Sequence, residues 1–163
     1  MSNIIIKPLD NNYCTTIINF VLPIQQQEFN VAVTLEGQPD LFDIEINYFK
    51  TGGCFWGAFH GEQLVGTIAL IAAGQNGGII RKMFVAKEFR GKEHGVAQLL
   101  LEQLIKYSKE KNITDLYLGT VEVFKAAQRF YEKNGFVVIP KANLPNWFLF
   151  MPADTLFYHL HLA

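Results

Sequence analysis

Two short stretches of this sequence combine residue types and spacings that can do chemistry. The first is Arg90-Gly91-Lys92-Glu93-His94-Gly95. It follows an apolar run, Ile79, Ile80, Met83, Phe84 and Val85, and precedes Val96, Ala97, Leu100, Leu101, Leu104 and Tyr107, which recur at helical spacing. A turn that enters a helix presents main-chain N–H groups at the positive end of the helix dipole, and glycines let a ligand come close to the backbone. Arg90 and Lys92 add positive charge. The turn therefore reads either as a seat for an anion such as a pyrophosphate or as a plain strand-to-helix turn with basic surface residues, and the loop by itself does not separate the two.

The second stretch lies further on, where Phe124, Ala127 and Tyr131 fall three and then four residues apart and so share one helix face. Small Ala127 leaves room beside the phenol. A tyrosine with an ordinary pKa of about 10 stays protonated at neutral pH and can give its proton to a leaving group. The other reading is a core tyrosine whose hydroxyl satisfies a backbone carbonyl. His159 and His161 share a strand face, but with no third ligand in recognisable spacing no metal is expected. Cys14 and Cys54 are far apart and read as packing residues in a reducing compartment.

The elements that position these groups can be traced along the chain. Residues 4–6 form a β-branched strand, and Asp10 or Asn11 caps a helix carrying Tyr13, Ile17, Phe20 and Val21 that should end before Pro23. The stretch 25–40 has no clean period and reads as a mobile connection. A second helix with Leu41, Ile44 and Tyr48 should stop at Gly52-Gly53. Residues 54–59 and 64–71 form a hairpin around His60-Gly61-Glu62-Gln63, and a glycine-rich link leads to the strand before Arg90, so three strands make an antiparallel meander. A strand at 116–118, a helix at 123–134 ended by Gly135, a strand at 136–139, an aromatic loop at 141–152 and a last strand at 155–162 complete the order.

Bulk properties bound the class. At 163 residues, 50% hydrophobic with 18% charged, the chain has the size and composition of one compact mixed α/β domain spanning 1–163. A net charge of −1 with scattered Lys and Arg argues against nucleic acid as a partner. With no apolar run near the roughly 20 residues a bilayer span needs, and no leader-like start, the expectation is a cytoplasmic protein with no membrane partner.

Both chemical stretches resemble the GNAT superfamily of N-acetyltransferases. The family signature is Arg or Gln, two residues, Gly, one residue, then Gly or Ala; Arg90 and Gly95 fit its ends, and Glu93 stands where the first glycine usually is. The second conserved block has an alanine, a tyrosine four residues later and a closing Gly-Phe, matched by Ala127, Tyr131, Gly135 and Phe136. Phe124 stands where the family often has an asparagine that contacts the pantetheine arm. Two blocks in order are more specific than either alone.

The resemblance implies a GNAT-type fold, a mostly antiparallel mixed sheet of about seven strands flanked by about four helices. It also implies acetyl-CoA as co-substrate, no metal, and an opening between the fourth and fifth strands. The pyrophosphate would sit on the turn formed by Arg90, Gly91, Lys92, Glu93, His94, Gly95 and Val96. Main-chain groups of Met83 and Val85 would pair with pantetheine beside Phe124 and Ala127. A neutral amine would attack the thioester directly, a strand N–H of Met83 or Phe84 would stabilise the oxyanion, and Tyr131 would protonate the thiolate.

The acceptor, a primary amine of a small molecule or a peptide, is expected among residues 25–38, Phe55, Trp56 and the loop around Trp147. No general base is assigned among Glu28, Glu36, Glu122 and His60. The resemblance leaves a homodimer open. The departures at Glu93 and Phe124 keep a second reading alive, a non-catalytic acyl-CoA sensor of the same fold.

Overall fold

The computed structural model describes residues 3–91 and 93–163. Lys92, expected at the anion seat, lies outside the described residues. Seven strands form one sheet: β1 (Ile4–Pro8), β2 (Cys54–His60), β3 (Gln63–Ala73), β4 (Gly77–Val85), β5 (Asp115–Thr120), β6 (Val137–Val138) and β7 (Leu156–His161). Their order is β1-β2-β3-β4-β5-β7-β6. All neighbours are antiparallel except β4 and β5. Among the described residues four α-helices accompany it: α1 (Cys14–Pro23), α2 (Ile44–Asn47), α3 (Val96–Glu110) and α4 (Lys125–Lys133). The expected mixed α/β architecture is the one observed.

The central strands are covered on both faces, which is why β2 and β3 read as near-continuous apolar runs instead of alternating, while β4 is interrupted by Arg81 and Lys82. Trp56, Ile68, Leu70, Ile80 and Leu116 pack on one side against Val96, Leu100, Leu101 and Leu104 of α3, joined by Tyr131 and Tyr158. Phe55, Ala69, Ile71 and Ile79 face the other way, toward Ile17 and Val21 of α1, Leu41, Ile44 and Tyr48. Gly66 of β3 lets α3 lie close: a Cβ there would come 2.9 Å from Val96 Cγ1 and 3.0 Å from Leu100 Cδ1.

Several local expectations change. The first helix does not stop before Pro23; it includes the exposed proline and widens into a π turn, Ile24–Glu28, closed by the Phe29 N–H to the Ile24 carbonyl at 3.2 Å. The wider turn accommodates a residue that cannot donate a helical bond. The second helix is broken into three short pieces: Asp43 leaves helical geometry (φ −150°) to cap α2 through the Ile46 N–H, and Tyr48 (φ −123°) separates α2 from the last piece. The stretch 25–40 is tied at both ends by buried Gln25 and Gln38, whose amides bond each other at 3.1 and 2.9 Å. The strand expected at 136–139 shrinks to the two residues of β6. Among the described residues no helix is long and apolar enough to cross a membrane.

Candidate active site: a cleft between two diverging strands

The parallel pairing of β4 with β5 runs from Gly77 opposite Asp115 to Ile80 opposite Leu118 and then stops. The reason lies on the other edge of β4. Thr67 pairs with Phe84 and Ala69 with Arg81, so Lys82 and Met83 together oppose Ile68, a β-bulge that bends the strand. Lys82 takes the positive φ (+54°) of such a bulge, and its carbonyl accepts a 2.6 Å bond from the Thr67 hydroxyl. Past the bulge the two strands diverge, and a cleft of about 580 Å³ opens between them.

At its mouth lies the turn before α3. Gly91 and Gly95 have φ of +100° and +65°, and an added Cβ at either would meet nothing within 4 Å, so the backbone faces open space. The first helical bond of α3 is from the Leu99 N–H to the Gly95 carbonyl, at 3.0 Å. The N–H groups of Val96, Ala97 and Gln98 precede it and have no intrahelical carbonyl to meet. The Val96 side chain is buried, Glu93 is exposed, and the His94 ring lies 5.0 Å from that of Phe89.

Arg90 is engaged: its Nε donates to the Val85 carbonyl at 2.9 Å, and its guanidinium forms a forked pair with Glu28, one arm at 2.9 Å. That bond holds the Glu28 carboxyl below its ordinary range. Arg90 also covers the Phe29 ring.

Met83, Phe84 and Val85 line the cleft on the β4 side, and Phe124, Ala127 and Tyr131 line it from the opposite wall. Phe124 packs edge-on against Phe29 at 4.8 Å and Phe84 at 6.0 Å. The Tyr131 ring is buried among Phe130, Phe136 and Tyr158. Among the described residues its hydroxyl has no hydrogen-bond partner, yet no fully buried polar side-chain atom is left unpaired, so this hydroxyl meets the cleft. Burial, then the charge of Asp154, push its pKa upward and keep it protonated.

Two groups of residues escaped the sequence reading. Asp154, in the loop before β7, reaches the cleft where β5 leaves β4. Its carboxylate occupies the space above Gly119, where an added Cβ would lie 2.4 Å from Oδ2. Burial raises its pKa to about 6, against the opposing charges of Arg81 and Lys82. A glycine inside a strand is the available signal, since it marks a close approach.

The second group is a buried polar cluster under the bulge. The Lys82 ammonium donates to the Gln38 side-chain carbonyl and lies 3.5 Å from Asp40, which also accepts from the Tyr48 hydroxyl at 2.5 Å. Burial lowers the Lys82 pKa and raises that of Tyr48.

Other candidates lie elsewhere. Phe55 and Trp56 are core residues, and Trp147 packs over Gly74 and Gly77 at the opposite end of the sheet. From the expected stretch 25–38, Gln25, Phe29, Val31, Val33 and Gln38 do line the cleft, joined by Met151 and Ala153. None of Glu28, Glu36, Glu122 and His60 lines the cleft. His159 and His161 converge on Asp115 at 2.8 and 3.1 Å, outside it.

Comparison with known proteins adds four findings. The family model described as "Acetyltransferase (GNAT) family" matches residues 18–136. An N-acetylaspartate synthetase of Danio rerio is 38% identical over 99 residues, 60% of this chain and 34% of that protein, and the chain spans less than half the length of the curated relatives it matches. A crystal structure of an acetyltransferase of GNAT family from Staphylococcus aureus Mu50 superposes with a TM-score of 0.95 at 40% identity, covering 99% of this chain and 100% of that one. The PaiA N-acetyltransferase of Thermoplasma acidophilum, solved in complex with coenzyme A, shares the fold at a TM-score of 0.74 and 20% identity, covering 98% of this chain and 99% of that one.

Proposed function

The chain belongs to the acetyltransferase (GNAT) family, and from that premise we propose that it transfers an acetyl group from acetyl-CoA to a primary amine of a small molecule or peptide. The observation that carries the reading is the Tyr131 hydroxyl, which among the described residues has no hydrogen-bond partner and which opens to a cleft lined at its mouth by Gly91, Gly95 and the start of α3. Acetyl-CoA, when bound, supplies a thioester that the amine attacks through a tetrahedral oxyanion. The residues present fit it. The Gly91 and Gly95 backbone and the amides opening α3 hold a pyrophosphate, with the dipole of a fifteen-residue helix behind them.

The β4 edge from Arg81 to Val85, which β5 leaves unpaired, offers main-chain groups to an extended pantetheine arm. A strand N–H at Met83 or Phe84, beside the bulge, faces the developing oxyanion. Tyr131 gives its proton to the departing thiolate and takes back the one that the new amide nitrogen sheds. Its raised pKa keeps the phenol protonated through neutral pH, so the proton is there to give. Phe29, Phe84 and Phe124 form an apolar collar that keeps water from the reacting atoms.

The curated relatives make free amino acids, aspartate first, the acceptors to try before polyamines and peptides. The test is thiol release from acetyl-CoA across such a panel. Amine-dependent release that falls by about 10²-fold or more in Tyr131→Phe, with coenzyme A affinity retained, is the expected result. Tight coenzyme A binding with no turnover on any acceptor overturns it in favour of an acyl-CoA sensor.

A further inference from the structure

We infer that Asp154 is the group that binds the incoming ammonium and removes its proton. This rests on the acyl-transfer reading and supplies its missing base. An amine arrives at neutral pH as R-NH₃⁺, which has no lone pair to attack with, so a proton acceptor must stand beside the thioester. Among the described residues one carboxylate lines the cleft, that of Asp154.

Its placement is built by the fold. The turn from Met151, closed by the Asp154 N–H to the Met151 carbonyl at 3.0 Å, and the Thr155 N–H bonded to the Thr120 carbonyl at 2.9 Å fix the loop against the end of β5. Gly119 makes room for the carboxylate there. This point adjoins the apex of the divergence, one residue past Leu118, on the strand covered by Tyr131.

The groups facing Asp154 are Arg81 and Lys82 from β4 and Tyr131 from α4. Among the described residues none of the cations comes within 4 Å of it: Arg81 donates to the Leu149 carbonyl, and Lys82 is held by Gln38 and Asp40. The carboxylate is therefore available to a substrate. Its pKa of about 6 is well matched to a base that is charged at neutral pH and still basic enough to accept a proton. Tyr131 is shifted upward too and stays protonated, so the cleft holds an acid and a base side by side.

The protons balance. The ammonium passes one proton to Asp154, and the freed lone pair forms the C–N bond. Collapse of the oxyanion breaks the C–S bond, the thiolate takes the Tyr131 proton, and the second proton lost by nitrogen restores Tyr131. Asp154 then releases its proton to solvent.

The experiment compares wild type, Asp154→Asn and Asp154→Glu with the best acceptor over pH 5 to about 9, a window spanning the ordinary titration range of carboxylates and amines. Beside it, the Asp154 carboxyl carbon is followed by NMR in the protein without acceptor. The expected result is a limb in kcat/KM near pH 6, lost in Asp154→Asn with a fall of about 10²-fold or more and partly restored in Asp154→Glu, with coenzyme A affinity unchanged throughout. A carboxyl that titrates in the ordinary range, or an Asn variant that keeps wild-type rate and pH profile, overturns the inference. If wild type turns over no acceptor while Asp154 still titrates near 6, it is the acyl-transfer reading that has failed, and the base assignment falls with it.

Discussion

At the scale of single residues, Asp154 carries a charge that the fold makes costly. Its pKa in the folded protein, about 6, lies above the ordinary aspartate value, so the native state favours the protonated form. A carboxyl raised in this way lends its full stability below the unfolded pKa, and that contribution is lost as pH rises through the folded one. Asp154→Asn should therefore be more stable than wild type at pH 8, by about 3 kcal/mol, and equal to it below about pH 4. Urea titrations of both proteins at the two pH values check this. Equal midpoints at pH 8 mean that the carboxylate is solvated and that the fold exerts no strain on it. A gain in stability bought with lost activity is the pattern expected of a residue kept for function.

The elements differ in how far they could be read from the sequence. The glycine turn, α3, α4 with its Gly135 cap and the β2–β3 hairpin are local: apolar period, turn glycines and caps within a few residues specify them. Phe124, Ala127 and Tyr131 were legible as one helix face, while the resemblance of the two motifs to conserved blocks pointed to Met83 to Val85 and Gly95 as walls of one site. Asp154 was not legible, because the groups it meets, Gly119 and the charge of Arg81, are distant in sequence and brought to it only by the sheet. The Arg90–Glu28 pair and the Lys82–Gln38–Asp40 cluster are hidden in the same way, since each ties a β4-side residue to the irregular stretch after α1.

Gly66 gives an element-scale test. An alanine there would press on Val96 and Leu100 at the start of α3, and overpacking of this kind costs about 1–3 kcal/mol. Because those residues hold the helix end that carries the free amides, coenzyme A affinity should fall along with thermal stability. Calorimetric titration of a folded Gly66→Ala protein reads this, and unchanged affinity would separate the helix position from the anion seat.

For the whole molecule, the sheet acts as a plate with two cores, one under α3 and α4 and the other under α1 and Tyr48, and the cleft is where its middle strands part. The segment at 24–33 closes over that parting, held by Phe29 on Phe124, by Arg90 on Glu28 and by Gln25 on Gln38. The opposite end, with Tyr117 stacked on His159 and packed edge-on against Trp147, is anchored independently. A ligand in the cleft can therefore order the near half without reaching the far one. Coenzyme A at a hundredfold over its Kd should stabilise the protein by about 2.7 kcal/mol, which corresponds to a rise in Tm of several degrees. Hydrogen exchange should show where. Protection is expected in residues 24–33, in the turn and first turns of α3, and around Phe124 to Tyr131, with residues 115–117 and 147 unchanged. Protection spread evenly over the sheet would mean that the two ends are coupled, and protection confined to the Trp147 end would place the ligand outside the cleft altogether.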